Sequence, residues 1–133
     1  MGKKIVFVGA GGFMGTLCRF GLSEAVPAPA GGFPLMILLI NLAGCLFLGW
    51  FLTCGLSSTS ISAETRLLIG TGFTGSFTTF STFTVDTIRL IHNGQGFVAL
   101  LYILLSTFGG ILMSLFGVWL GRAMNARQEG ETL

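Results

Sequence analysis

Chemistry is concentrated in one run of this 133-residue chain, Gly70-Thr71-Gly72-Phe73-Thr74-Gly75-Ser76-Phe77-Thr78-Thr79-Phe80-Ser81-Thr82-Phe83-Thr84. Eight hydroxyl side chains interleave there with glycine and phenylalanine. Each glycine lowers helix propensity by about 1 kcal/mol relative to alanine, and the hydroxyls offer the backbone other partners. The run therefore predicts a helix broken near its middle. Carbonyls freed at such a break can coordinate a hard cation such as sodium, while the N-terminus of the next half-helix favours an anion. Phe73, Phe77, Phe80 and Phe83 follow steps of four, three and three, the spacing of one helical face. A plain packing stripe would explain that spacing. It would not explain why Thr79 and Thr82 interleave with Phe80 and Phe83. Ring edges carry positive charge, so several of them could replace part of the hydration of a small anion.

Two other patterns point the same way. Tyr102, Ser106, Gly110, Ser114, Gly117 and Gly121 form one small or hydroxyl-bearing stripe, read either as close helix packing or as a polar track. Asn41 is the one strongly polar side chain of its apolar stretch, and it suits an interhelical hydrogen bond, a pore donor, or both. No nucleophile–base pair and no paired carboxylates suggest enzymatic chemistry. Asp86 and Arg89 have the spacing of a simple ion pair on a helix. The depth of Arg19 and Asp86 is open, and an ionisable group at membrane depth is a functional candidate by default. Cys18, Cys45 and Cys54 are odd in number and sit in apolar stretches, so they read as packing residues.

These residues need elements to hold them, and the composition says which kind. The chain is 52% hydrophobic and 9% charged, with 21 glycines and 13 phenylalanines; soluble domains carry about 25% charged residues. A mean hydropathy of +0.86 excludes disorder and a water-facing surface. A net charge of +2 without a basic cluster excludes a nucleic-acid partner. The remaining class is an all-α integral membrane protein, a single membrane domain over 1–133. Four apolar runs, 5–22, 33–55, 67–91 and 97–121, predict four spans. Between them lie a breaker stretch over 23–32, a Ser/Thr-rich turn over 56–63 and a tight turn over 92–96. A frayed polar tail is expected from Arg122 onward. Lys3, Lys4, Arg66, Arg122 and Arg127 fall on the side of the termini, against Arg89 and at most Arg19 opposite, which favours cytoplasmic termini.

Two N-terminal patterns mislead. Glycines at 9, 11, 12 and 15 after an apolar run imitate a dinucleotide-binding loop, but position 14 breaks the fingerprint and no βαβ unit surrounds it. Lys3, Lys4, an apolar core and Ala28-Pro29-Ala30 imitate a cleavable signal, which Arg19 and the glycines spoil. The better reading of Gly11, Gly12 and Gly15 is a small-residue face open to another helix.

At these residues the sequence resembles the bacterial fluoride channels of the Fluc (CrcB) family over essentially its whole length. The likeness rests on Gly11-Gly12-Phe13-Met14-Gly15-Thr16-Leu17-Cys18-Arg19-Phe20, on Asn41-Leu42-Ala43-Gly44, and above all on Gly72 to Phe83. The resemblance implies an antiparallel, dual-topology homodimer in the bacterial inner membrane, with two fluoride pores and a structural sodium ion. Backbone carbonyls of Gly75 and Thr78 from both subunits would hold the sodium. Phe80 and Phe83 would contact fluoride through their edges. Asn41, Thr79, Thr82, Tyr102 and Ser106 would supply the polar track, with Arg19 toward the vestibule. The chain departs from the family pattern at Met36-Ile37, where Gly-Thr is common, and at Gly110, where serine is common. A small four-span multidrug transporter would need an acidic residue deep in the first span, and none precedes Glu24. A structural subunit would explain the glycines but not the alternation of hydroxyls and rings.

Overall fold

The computed structural model describes residues 2–27, 31–57 and 61–131, and every described element is helical. The order is α1 (Gly2–Ala25), α2 (Leu35–Ser57), α3 (Ala63–Thr65), a π-helical segment (Arg66–Phe73), α4 (Thr74–Phe77), α5 (Phe80–His92) and α6 (Gly96–Glu131). Three helices are long and apolar enough to cross a bilayer: α1, α2 and α6 up to Arg127. Large apolar side chains stand exposed along them, including Ile5, Phe13 and Leu17 on α1 and Phe108, Leu112 and Leu115 on α6. That outward apolar surface suits lipid rather than water.

The helices outrun the expected spans. The first begins at Gly2 and ends at Ala25, and the second ends at Ser57. The fourth has 36 residues, so the expected frayed tail is corrected: α6 continues through Arg122 to Glu131. The Ala, Arg, Gln and Glu residues of this stretch have high helix propensity. Ala28-Pro29-Ala30, the cleavage-like stretch, lies outside the described residues, as do 58–60 within the Ser/Thr-rich turn. The turn between α5 and α6 behaves as its glycine suggests. Gly94 has φ of 74°, and the Gln95 amide donates to the Leu90 carbonyl at 2.9 Å, closing the end of α5.

Glycine positions set how closely the helices approach. A Cβ on Gly11 would strike the Leu68 carbonyl, and one on Gly15 the Phe73 carbonyl. The small-residue face of α1 therefore lies directly on the π-helical segment, as the sequence suggests. A Cβ on Gly49 would strike the Ser114 carbonyl and one on Gly117 the Leu46 carbonyl, so α2 and α6 also pack backbone to backbone. The apolar centre at the other end joins Leu38, Leu90, Ala99 and Tyr102, with Phe33, Leu42 and Phe83 packed against it.

The run expected to break does so, though not at its glycines. Gly70 and Gly72 lie buried inside the π-helical segment, and a Cβ on Gly72 would come 2.5 Å from the Val8 carbonyl. Gly72 makes room for α1, and Gly70 lies against Phe51 and Leu52 of α2. The wider turn is supported by the Thr74 hydroxyl, which donates to the Ile69 carbonyl five residues back at 2.9 Å. The interruption falls at Thr78 (φ −73°, ψ 154°) and Thr79 (φ −144°, ψ 126°), two extended residues between α4 and α5. The four phenylalanines consequently do not share one helical face. Phe73 and Phe77 stack at 5.7 Å before the break, and Phe80 and Phe83 pair at 5.8 Å after it.

Candidate functional site

Two extended residues inside an apolar protein expose four backbone groups that must find partners. Asn41 of α2 satisfies two of them at once. Its Oδ1 accepts from the Thr79 amide at 2.8 Å, and its Nδ2 donates to the Thr79 carbonyl at 3.0 Å. A side-chain amide thus takes the place of a paired peptide group. The Thr79 hydroxyl then caps α5: it accepts from the Thr82 amide at 3.2 Å and lies 3.1 Å from the Thr82 hydroxyl. The Thr78 hydroxyl turns back to the Thr74 carbonyl at 2.9 Å. Gly44, one turn from the Asn41 side, is bare where Thr78 packs, since a Cβ there would run into the Thr78 methyl.

These bonds leave a defined pair of carbonyls without their helical donors. In a continuing helix the Thr79 amide would bond the Gly75 carbonyl, and the Thr82 amide the Thr78 carbonyl. The first amide is taken by Asn41 and the second by the Thr79 hydroxyl. Gly75 and Thr78 are the two residues named from the sequence for sodium. Both line an open groove of about 560 Å³ together with Asn41, Thr79, Phe80, Phe83 and Ser106. Among the described residues, no group of three or more His, Cys, Asp or Glu side chains could hold a metal ion.

The groove brings most of the expected residues together. Phe80 is 80% exposed and presents its ring to open space. Phe83 is half-buried and leans on Tyr102 with ring centroids 5.0 Å apart. Tyr102 is 0% exposed, wedged between Phe83 and Phe33, and its hydroxyl has no hydrogen-bond partner among the described residues. The Ser106 hydroxyl, one turn along α6, is buried and equally unpartnered. Buried hydroxyls normally find partners; of these two, Ser106 lines the groove, whereas Tyr102 is packed behind its lining. Arg19 and Thr82 lie apart, on a second pocket of about 230 Å³ shared with Ser23 and Asp86. Arg19 is half-buried, and its Nε donates to the Ser76 carbonyl at 3.2 Å, so it ties α1 to α4. Asp86 approaches Arg89 at 3.8 Å, the ion pair its spacing suggested.

Several groove residues escaped sequence reading. Thr71 and Thr74 precede the break and Thr107 follows Ser106, all on the groove wall. Thr71 and Thr74 stood within the hydroxyl run, but only the packing of α1 and α2 against it decides which hydroxyls face the groove. Cys45, one turn beyond Asn41, also lines it; its spacing from Asn41 was the available signal.

Helices with lipid-suited surfaces, a broken segment clamped by an amide, and an open groove beside the break define a multi-pass membrane protein. Comparison with known proteins identifies the family. A family described as "CrcB-like protein, Camphor Resistance (CrcB)" matches residues 6–118. Similar proteins include the "Fluoride-specific ion channel FluC" of Chlorobium phaeobacteroides, 42% identical over 118 residues, covering 89% of this chain and 92% of that one. That of Oceanobacillus iheyensis is 43% identical over 116 residues, covering 87% and 89%. "Fluoride-specific ion channel FluC 1" of Bacillus cereus is 44% identical over 122 residues, covering 90% and 85%. The chain belongs to the CrcB family, and the relatives bear the name of a channel, not of an enzyme.

Proposed function

We propose that this protein is a fluoride-selective channel through which fluoride leaves a bacterial cell passively across the inner membrane, relieving fluoride toxicity. The observation that carries the reading is the clamped break: Asn41 holds Thr79 extended beside a groove walled by Phe80, Phe83 and the unpartnered Ser106 hydroxyl. Fluoride is small and tightly hydrated, so its path needs many weak donors rather than one tight site. Hydroxyls of Thr79, Thr82, Tyr102 and Ser106, the free Nδ2 hydrogen of Asn41 and the ring edges of Phe80 and Phe83 meet that need. Names borne by relatives at 42–44% identity support the ion's identity.

On this reading α1, α2, the divided segment from α3 to α5, and α6 are four spans with both termini on one side. Two copies pair antiparallel and enclose two pores. The open groove suits such pairing, because one chain supplies only two carbonyls of the cation site. Gly75 and Thr78 from each copy would hold a sodium ion through hard oxygen donors released from helical bonding. That ion would supply fixed positive charge at the joint between subunits. Arg19, bonded to the Ser76 carbonyl, would stand at the vestibule and draw anions in without binding them in the narrow path.

The deciding experiment follows ion efflux from liposomes containing the purified protein, loaded with fluoride in one preparation and chloride in another, using ion-selective electrodes. Rapid fluoride efflux with chloride retained is expected. Equal fluxes of both anions, or neither, would reject the proposal.

A further inference from the structure

On α6 the residues at steps of four from Tyr102 are Ser106, Gly110 and Ser114, so the row of hydroxyls has a gap at Gly110. The tertiary structure fills it from another helix. A Cβ built on Gly110 would lie 3.4 Å from the Cys45 Sγ, which is ordinary packing distance. Cys45 stands one turn beyond Asn41 on α2 and lines the same groove as Asn41, Phe83 and Ser106. Independent of the thiol, the row already holds two hydroxyls without a hydrogen-bond partner among the described residues: Ser106, on the groove wall, and the fully buried Tyr102 behind it. The other thiols lie outside the groove's lining; Cys18 is exposed on α1 and Cys54 sits near the far end of α2.

We infer that the Cys45 thiol completes the polar row at the place Gly110 leaves open, and that a small thiol-seeking cation reaching it there blocks the path. The inference rests on the channel reading above. An S–H group is a weak donor, so it adds to the wall without trapping an anion. It is also the one soft nucleophile of the row. With methylmercury the S–H bond breaks, its proton passes to water, an S–Hg bond forms in place of the mercury-bound water, and no atom changes oxidation state. The product puts a bulky apolar group where Ser106 and Asn41 face the groove.

The test compares fluoride efflux from liposomes containing wild type, Cys45→Ser, and the double variant Cys18→Ser/Cys54→Ser, before and after methylmercury nitrate in chloride-free buffer. Mass spectrometry of the Cys45 peptide is run on the same samples. Wild type and the double variant are expected to slow at least about fivefold, with Cys45→Ser within about twofold of its untreated rate. One adduct on Cys45 should accompany the block. Equal inhibition of Cys45→Ser, or no adduct on Cys45, would overturn the inference. Wild type that passes no fluoride before treatment would tell against the channel itself. In that case the adduct measurement still decides whether water reaches this thiol through the groove.

Discussion

Asn41 is the residue on which the site depends, because one amide side chain satisfies both the amide and the carbonyl of Thr79. Asn41→Ala would strand both, and each stranded buried group costs about 1–3 kcal/mol. Asn41→Asp keeps the acceptor for the Thr79 amide but sets a carboxylate against the Thr79 carbonyl. Both variants are expected to lower fluoride efflux at least about tenfold and to lower the melting temperature in detergent. Unchanged efflux would remove Asn41 from the path. Phe80 tests the ring edges separately, since it is largely exposed and its ring pairs with Phe83 rather than with the apolar centre. Phe80→Ile keeps apolar bulk but removes the positive edge, so efflux should fall while the size-exclusion profile and melting temperature stay as in wild type. A fall in both would assign Phe80 to packing.

At the scale of elements, two glycines of α1 make opposite predictions. Gly15 lies against the Phe73 carbonyl, whereas a Cβ on Gly9 meets nothing within 4 Å. Gly15→Ala must push α1 off the π-helical segment and is expected to cost about 1–3 kcal/mol, the usual range for overpacking. Gly9→Ala should be neutral or stabilising by up to about 1 kcal/mol through helix propensity. Thermal melts in detergent separate the two, and equal behaviour would mean the α1 contact is looser than described. The same contact explains why the glycine-rich stretch did not break where propensity suggests. Gly70 and Gly72 gain packing against α2 and α1 that offsets their backbone entropy. The chain opens instead at Thr78 and Thr79, where Asn41 and the Thr79 hydroxyl can take over the hydrogen bonds.

The whole molecule leaves one face unfinished. The groove is open, Phe80 stands out from it, and the Gly75 and Thr78 carbonyls lack their helical donors. If two copies close over a sodium ion at these carbonyls, sodium is part of the assembly. Protein dialysed from sodium into N-methylglucamine should then lose thermal stability and fluoride efflux together, and sodium should restore both. Stability and efflux indifferent to the exchange would remove sodium from the assembly. The long α6 bears on the scale of the molecule too. Its 36 residues span about 54 Å, well beyond a hydrocarbon core of about 30 Å, so part of the helix reaches past that core. Toward its C-terminal end the Trp50 indole donates to the Met124 sulfur at 3.2 Å, tying α6 to α2.

Composition and period alone determined that this chain lies in lipid, that it is helical, where its apolar stretches run, and which side chains have the chemistry to meet a small ion. Those properties are local: burial in hydrocarbon demands internal hydrogen bonding, and a 3.6-residue period sorts side chains onto faces. The likeness in Gly72 to Phe83 also pointed to the family before any geometry was known. Tertiary structure alone decided that the break falls at Thr78–Thr79, that it divides the phenylalanines into two pairs, that Asn41 serves as clamp, and that Cys45 faces the gap at Gly110. A broken helix at membrane depth is stable only where another element supplies the missing partners. Which residue loses its helical bond is therefore set by where α2 brings Asn41 against it, and no window of the sequence contains that information.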